Sequence, residues 1–106
     1  MRKGMLFVVA LLLAIVPMAG AQELTPVSVV LKWVPQAQFA GYYAAEALGY
    51  YEAEGLDVTI VAAGTDINPQ QLVASGDAQF GIDWMGNLLA TREAGQDVVS
   101  IAQIYQ

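Results

Sequence analysis

Hydrophobic and polar positions change period several times along this chain, and each change marks an element. The stretch 27–34 is β-branched and aromatic-rich with Lys32 as its single charge, the pattern of a strand covered on most of its surface. Pro35 has no N–H for a ladder and drives the residue before it towards extended geometry, so the strand is expected to stop there. Phe39, Ala40, Tyr43, Ala44, Ala47 and Leu48 then recur at helical spacing, predicting a helix over 38–48 with Gly49 as its left-handed stop. Residues 50–54 continue as a helical tail ended by Gly55, and Leu56 brings the chain back onto the core. Val58, Ile60 and Ala62 alternate along a second strand over 57–62. Gly64, Thr65 and Asp66 form the loop at its end. Asn68 before Pro69 is a helix start, with Asn as cap and Pro in the first turn. Leu72 and Val73 are expected to face inward, and Gly76 to close this short helix. A brief strand over 78–82, a helix marked by Met85, Leu88 and Leu89 and closed by Gly95, and a fourth strand over 98–104 complete the pattern.

The alternation β-α-β-α-β-α-β with short connections predicts an α/β fold, a parallel sheet with flanking helices and right-handed crossovers. No internal repeat, low-complexity tract or interdomain linker interrupts it. Parallel topology gathers the carboxyl ends of the strands on one edge, where ligands bind in open α/β sheets.

The first residues do not belong to that fold. Arg2 and Lys3 precede an unbroken apolar run from Met5 to Val16, Pro17 breaks it, and Ala19-Gly20-Ala21 offers a small-x-small cleavage site. Residues 1–21 therefore read as a secretory signal peptide, too short in its apolar part to span a bilayer comfortably. No cysteine follows for a lipid anchor. The expected product starts at Gln22 and is exported across the cytoplasmic membrane as a soluble periplasmic or extracellular protein.

Of the four basic residues only Lys32 and Arg92 follow the leader, against all ten acids, a net charge of −8 for residues 22–106. That surface has no footprint for nucleic acid or anionic lipid. Without cysteine the exported chain forms no disulfide and must rest on packing. The chain ends straight after an apolar run, so residues 22–106 are expected to be the front part of something longer.

The chain has no histidine and no cysteine, which removes the usual general base, the thiol nucleophiles and the commonest metal ligands. No serine sits in a G-x-S-x-G elbow, no glycine-rich phosphate loop follows a strand, and the aspartates lack metal-loop spacing. No catalytic residue, metal site or cofactor is expected. What the sequence offers is recognition chemistry at three strand ends: Trp33, Gln36, Gln38, Phe39 and Tyr42 after the first, Thr65 and Asp66 after the second, Asp83, Trp84, Met85 and Asn87 after the third. Flat aromatics can stack on a ligand ring while amides and Asp83 pair with its heteroatoms. The candidate ligand residues are Trp33, Gln36, Gln38, Phe39, Tyr42, Thr65, Asp83 and Trp84. Bland roles stand beside these: Phe39 shares the apolar stripe of its helix, Met85 is more often packing, and Asp66 and Asp83 are placed to cap the helices that follow, the expected role for Asp66. Tyr50 and Tyr51 are expected to cover a helix end. Two indoles at neighbouring loop mouths exceed what so small a core needs.

The run Leu31-Lys32-Trp33-Val34-Pro35-Gln36-Ala37-Gln38-Phe39-Ala40-Gly41-Tyr42-Tyr43 resembles the opening of NMT1/THI5-like periplasmic substrate-binding proteins. Gly49-Tyr50-Tyr51-Glu52-Ala53-Glu54-Gly55-Leu56-Asp57-Val58 and the run from Leu72 to Ile82 follow in that group's order and spacing. The resemblance covers residues 27–106. It implies the first part of a two-lobed type II periplasmic binding protein, which closes on its ligand like a hinge and delivers it to an ABC permease in the inner membrane. It implies a monomer when full length, and ligands such as a thiamine-pyrimidine precursor, riboflavin or an alkanesulfonate. Two departures bear on the ligand. Gln36 stands where pyrimidine binders often have Asn, and Asp83-Trp84-Met85 replaces small Ser or Gly residues, which leaves a pyrimidine, a flavin or another flat heterocycle open. Two alternatives come from other classes: a thiamine-pyrimidine synthase of the same family, which uses a histidine and cysteines of its own, and the ligand-sensing domain of a signalling protein.

Overall fold

The computed structural model describes residues 20 and 22–104; apart from Gly20, the expected leader lies outside the described residues. Strand β1 (Thr25–Leu31) is followed by a single 3-10 turn at Ala37–Phe39, helix α1 (Ala40–Ala47) and the short α2 (Tyr50–Ala53). Strand β2 (Leu56–Ala62), helix α3 (Pro69–Ser75), strand β3 (Phe80–Gly81) and helix α4 (Met85–Glu93) complete the order. The sheet is parallel throughout, in the order β2-β1-β3. Gly49, Gly76 and Gly95 take the left-handed conformation at the helix ends, as their positions in the sequence predict.

The central strand carries the core. β1 pairs with β2 over its full length, from Thr25 opposite Leu56 to Leu31 opposite Ala62. Val30 packs with Ala63 and Ala78, and Val61, Leu72 and Val73 cover that cluster from β2 and α3. Leu31 and Phe39 are fully buried as well. Burying one such side chain stabilises the fold by about 2 kcal/mol. On α3 the Asn68 side chain accepts from the Gln70 amide at 3.0 Å, with Pro69 next to it, so the expected cap and first turn are present. Helix α3 also lies so close to β3 that a side chain on Gly81 would meet Pro69 and Val73 at 3.2 Å, which only glycine avoids.

Four expectations are corrected. The first strand ends at Leu31 rather than at residue 34, because Trp33 turns left-handed (φ 71°) and pairs antiparallel with Gly64. The third strand shrinks from five residues to Phe80–Gly81. On its near side the Gln79 side chain, not a backbone carbonyl, takes the Ser28 N–H at 2.8 Å and the Ser28 hydroxyl at 2.9 Å. Asp66 does not cap α3: it accepts from the Thr65 hydroxyl at 3.0 Å, while Asn68 caps the helix.

The fourth strand does not form. Within 98–104 only Val98 is buried, its carbonyl held by Arg92 Nη1 at 2.7 Å, while Val99, Ile101 and Ile104 are more than half exposed. An apolar, strand-like run becomes a strand only beside an edge with backbone groups to pair, and β3 offers two residues.

Candidate functional site

Because β1 lies between β2 and β3, the chain leaves β1 in one direction and later crosses it in the other. The crevice between the carboxyl ends of β1 and β3 is the topological switch point, the place where open α/β sheets bind ligands. The loops after the three strands are tied together there by backbone hydrogen bonds and an ion pair.

The first corner begins with Lys32 and Trp33. The Gly64 N–H donates to the Trp33 carbonyl at 3.0 Å, and one step earlier the Ala63 N–H donates to the Leu31 carbonyl at 3.0 Å. These bonds join the first corner to the second. Trp33 alone among the described non-glycine residues has positive φ, a conformation that crowds a Cβ and costs roughly 1–3 kcal/mol for such a residue. The residue is 42 % exposed and is held by its carbonyl bond to Gly64. Gln36 and Gln38 are exposed and joined by a Gln38 Nε2 to Gln36 Oε1 bond of 3.3 Å. Phe39 is buried, its ring 6.4 Å from that of Tyr42 and tilted by 57°, so it supports Tyr42 from within the core. Tyr42 is half-buried on α1, and its carbonyl accepts from the Tyr51 hydroxyl at 3.2 Å. Burial raises the Tyr51 pKa above the usual tyrosine value, and the nearby Glu46 carboxylate adds to the rise. Tyr51 therefore braces the helix end, as expected, and Tyr50 stays exposed. At the second corner Thr65 is exposed, engaged with Asp66.

The third corner is built differently. Asp83 is 97 % buried at its side chain, and one oxygen, Oδ1, accepts from the Trp84 N–H at 2.8 Å and from Asn87 Nδ2 at 2.8 Å. Lys32, the residue directly after β1, reaches the same oxygen at 3.3 Å. The Lys32 ammonium also sits 5.3 Å from the centre of the Trp84 ring, a cation–π distance, while the indole itself is 63 % exposed. Asp83 Oδ2 is buried and accepts no hydrogen bond from the described residues. The sequence places Asp83 where it could meet ligand heteroatoms, whereas Lys32 reads there only as a lone charge in a buried strand. That lone charge was itself the available signal, since a buried lysine needs a partner.

Gln70 was also missed. It is buried on α3, and in the amide orientation its neighbours require it donates to the Asn87 carbonyl at 3.0 Å and Thr91 Oγ1 at 2.6 Å, and accepts from the Leu88 N–H at 2.8 Å. It locks α4, and with it Asp83 and Trp84, onto α3. No local pattern betrays it, because its partners are fixed only by helix packing.

The corners thus bring Trp33, Trp84 and Asp83 to one sheet edge, with Gln36, Gln38, Tyr42 and Thr65 on the adjoining loops and Phe39 beneath. A groove of about 480 Å³ lies elsewhere, between α3 and α4. It is lined by Gln71, Ala74, Ser75, Ala90 and Ala94 among others, with no aromatic ring or charge to orient a ligand. The sheet edge carries the aromatic rings and charged groups that this groove lacks. Among the described residues no cluster of three or more carboxylates, histidines or cysteines could hold a metal, and no helix is long and apolar enough to cross a membrane.

Comparison with known proteins gives consistent relatives. The chain is 34 % identical over 105 residues to a formylaminopyrimidine-binding protein of Halalkalibacterium halodurans, covering 92 % of this chain and 32 % of that protein. It is 31 % identical over 98 residues to the riboflavin-binding protein RibY of Chloroflexus aurantiacus, covering 85 % of this chain and 26 % of the relative. It is also 27 % identical over 78 residues to the 4-amino-5-hydroxymethyl-2-methylpyrimidine phosphate synthase THI11 of Saccharomyces cerevisiae, covering 74 % and 23 %. The chain spans about a third or less of the length of these relatives. Residues 36–106 match the family described as NMT1/THI5 like, and the chain belongs to that family.

Proposed function

We propose that this protein is the extracytoplasmic solute-binding component of an ABC importer, capturing a small planar heterocycle of the thiamine-pyrimidine or riboflavin kind. The observation that carries the reading is the juxtaposition at the switch point: an exposed Trp33 held in a costly backbone conformation, and an exposed Trp84 above a buried carboxylate. Two flat apolar faces with few, well-placed polar atoms match a ring ligand. Relatives named for binding a formylaminopyrimidine and riboflavin support the same class. In this reading Trp33 and Trp84 stack on the ring, Gln36, Gln38, Tyr42 and Thr65 address its edge, and residues 1–21 direct export of the chain.

The likeness to a pyrimidine phosphate synthase favours a second reading, an enzyme of the same family. Its chemistry would need groups other than histidine and cysteine from residues 1–106, which contain neither.

Titration calorimetry with riboflavin and with 4-amino-5-hydroxymethyl-2-methylpyrimidine tests the binding role. Stacking contributes roughly 0.5–1.5 kcal/mol beyond buried area, so Trp33→Ala is expected to weaken binding about tenfold, on the order of 1.4 kcal/mol. Trp33→Phe recovers most of that loss, and Tyr50→Ala, far from the sheet edge, leaves affinity unchanged. Full affinity in a folded Trp33→Ala protein removes Trp33 from the site. Turnover of the pyrimidine precursor without release of intact ligand would favour the synthase.

A further inference from the structure

We propose that Lys32 is the charge selector of the cleft, restricting its ligand at the switch point to an uncharged ring. The proposal rests on the binding role just described and adds the ligand's charge.

Two features at this edge would recruit a cationic ligand: the buried Asp83 carboxylate and the face of Trp84. Lys32 already occupies both, 3.3 Å from Asp83 Oδ1 and 5.3 Å from the indole centre. A ligand cation would have to displace a side chain that is itself 82 % buried and charge-paired. An anionic ligand fares no better. Lys32 and Arg92 are the only basic residues after position 3, against ten acids. Lys32 is committed to Asp83, and Arg92 donates to the Val98 carbonyl at 2.7 Å, away from the strand ends. A phosphate or sulfonate arriving at this edge meets residues 22–106 with their net negative charge and a nearby cation, Lys32, that is already paired. An uncharged ring escapes both penalties: it can stack on the exposed indole while the ion pair beneath stays intact.

The test is a ranking by charge, in the full chain. Riboflavin is compared with its monophosphate, and 4-amino-5-hydroxymethyl-2-methylpyrimidine with its phosphate and with the thiazolium cation thiamine. For whichever ring binds, the uncharged form is expected to bind the native protein at least tenfold more tightly than its charged counterparts. Asp83→Asn frees Lys32, and the phosphate forms should gain tenfold or more. Lys32→Met leaves Asp83 unpaired, and thiamine should gain by a similar factor. The double variant Lys32→Met with Asp83→Asn, which carries no net charge at this spot, should return to the native ranking. Equal affinity of the native protein for a ring and its phosphate overturns the proposal even if a single variant fails to fold. So does a charge ranking that neither single variant shifts. Binding of no probe at all overturns the binding role itself, and the selector with it.

Discussion

The first and third corners follow the carboxyl ends of neighbouring strands and touch through Lys32 and Asp83, yet they are held by opposite means. The first corner hangs from two backbone bonds to the second loop, keeps its amides on the surface, and sets Trp33 in a left-handed conformation. The third corner is knitted from the inside: Asp83 binds the Trp84 and Asn87 donors and Lys32, and Gln70 clamps the helix that follows. One corner stores strain and exposes its groups; the other satisfies almost every polar atom it buries. The contrast teaches that an exposed candidate recognition residue and a buried polar network answer to different energetic terms. Trp33 costs stability, whereas the Asp83 network contributes to it.

The largest expected effect tests the second half of that statement. Asp83→Ala removes the acceptor for three donors and leaves Lys32 largely buried without its partner. Breaking a buried pair from one side costs about 3 kcal/mol. Chemical denaturation should show that loss, and a change below ~1 kcal/mol would mean that Lys32 and Asn87 simply turn to solvent.

A smaller effect tests the first half. Trp33→Gly and Trp33→Ala remove the same ring, so their difference isolates the backbone. Glycine accepts φ 71° freely and alanine does not, so the glycine variant should be more stable by about 1 kcal/mol. Both should lose ligand affinity alike. Equal stabilities would show that the corner relaxes once the indole is gone, and that the strain belongs to the side chain's own packing.

The smallest effect concerns the brace behind the first corner. Tyr51 donates its hydroxyl proton to the Tyr42 carbonyl, and its pKa is raised by burial and then by Glu46. The folded state thus holds that proton more tightly than the unfolded chain. Its stabilising share is complete below the ordinary tyrosine value near 10 and is lost as pH rises through the higher folded value. Denaturation midpoints between pH 8 and pH 11 should fall more steeply for the native protein than for Tyr51→Phe. Parallel curves would remove Tyr51 from the support of this corner.

Local pattern carried most of the architecture. The β-branched runs, the Asn68-Pro69 start and the glycine stops fix where the chain extends, coils and turns, because each acts through neighbours a few residues away. The aromatic and amide density after the first strand lies at the carboxyl edge of the sheet, where the sequence order places it. What the sequence could not carry was pairing at a distance. The left-handed turn at Trp33 exists because Gly64, thirty-one positions on, offers its N–H to the Trp33 carbonyl. The third strand shortened because the Gln79 side chain took a backbone donor of β1, and 98–104 formed no strand because a ladder needs an edge to join. Lys32 looked like an oddity in a buried strand until Asp83 and Trp84 came within 3.3 and 5.3 Å of it. Sequence determined the elements through short-range sterics and burial; the tertiary fold alone decided which charges, amides and rings would meet, since that depends on how the strands are ordered in space.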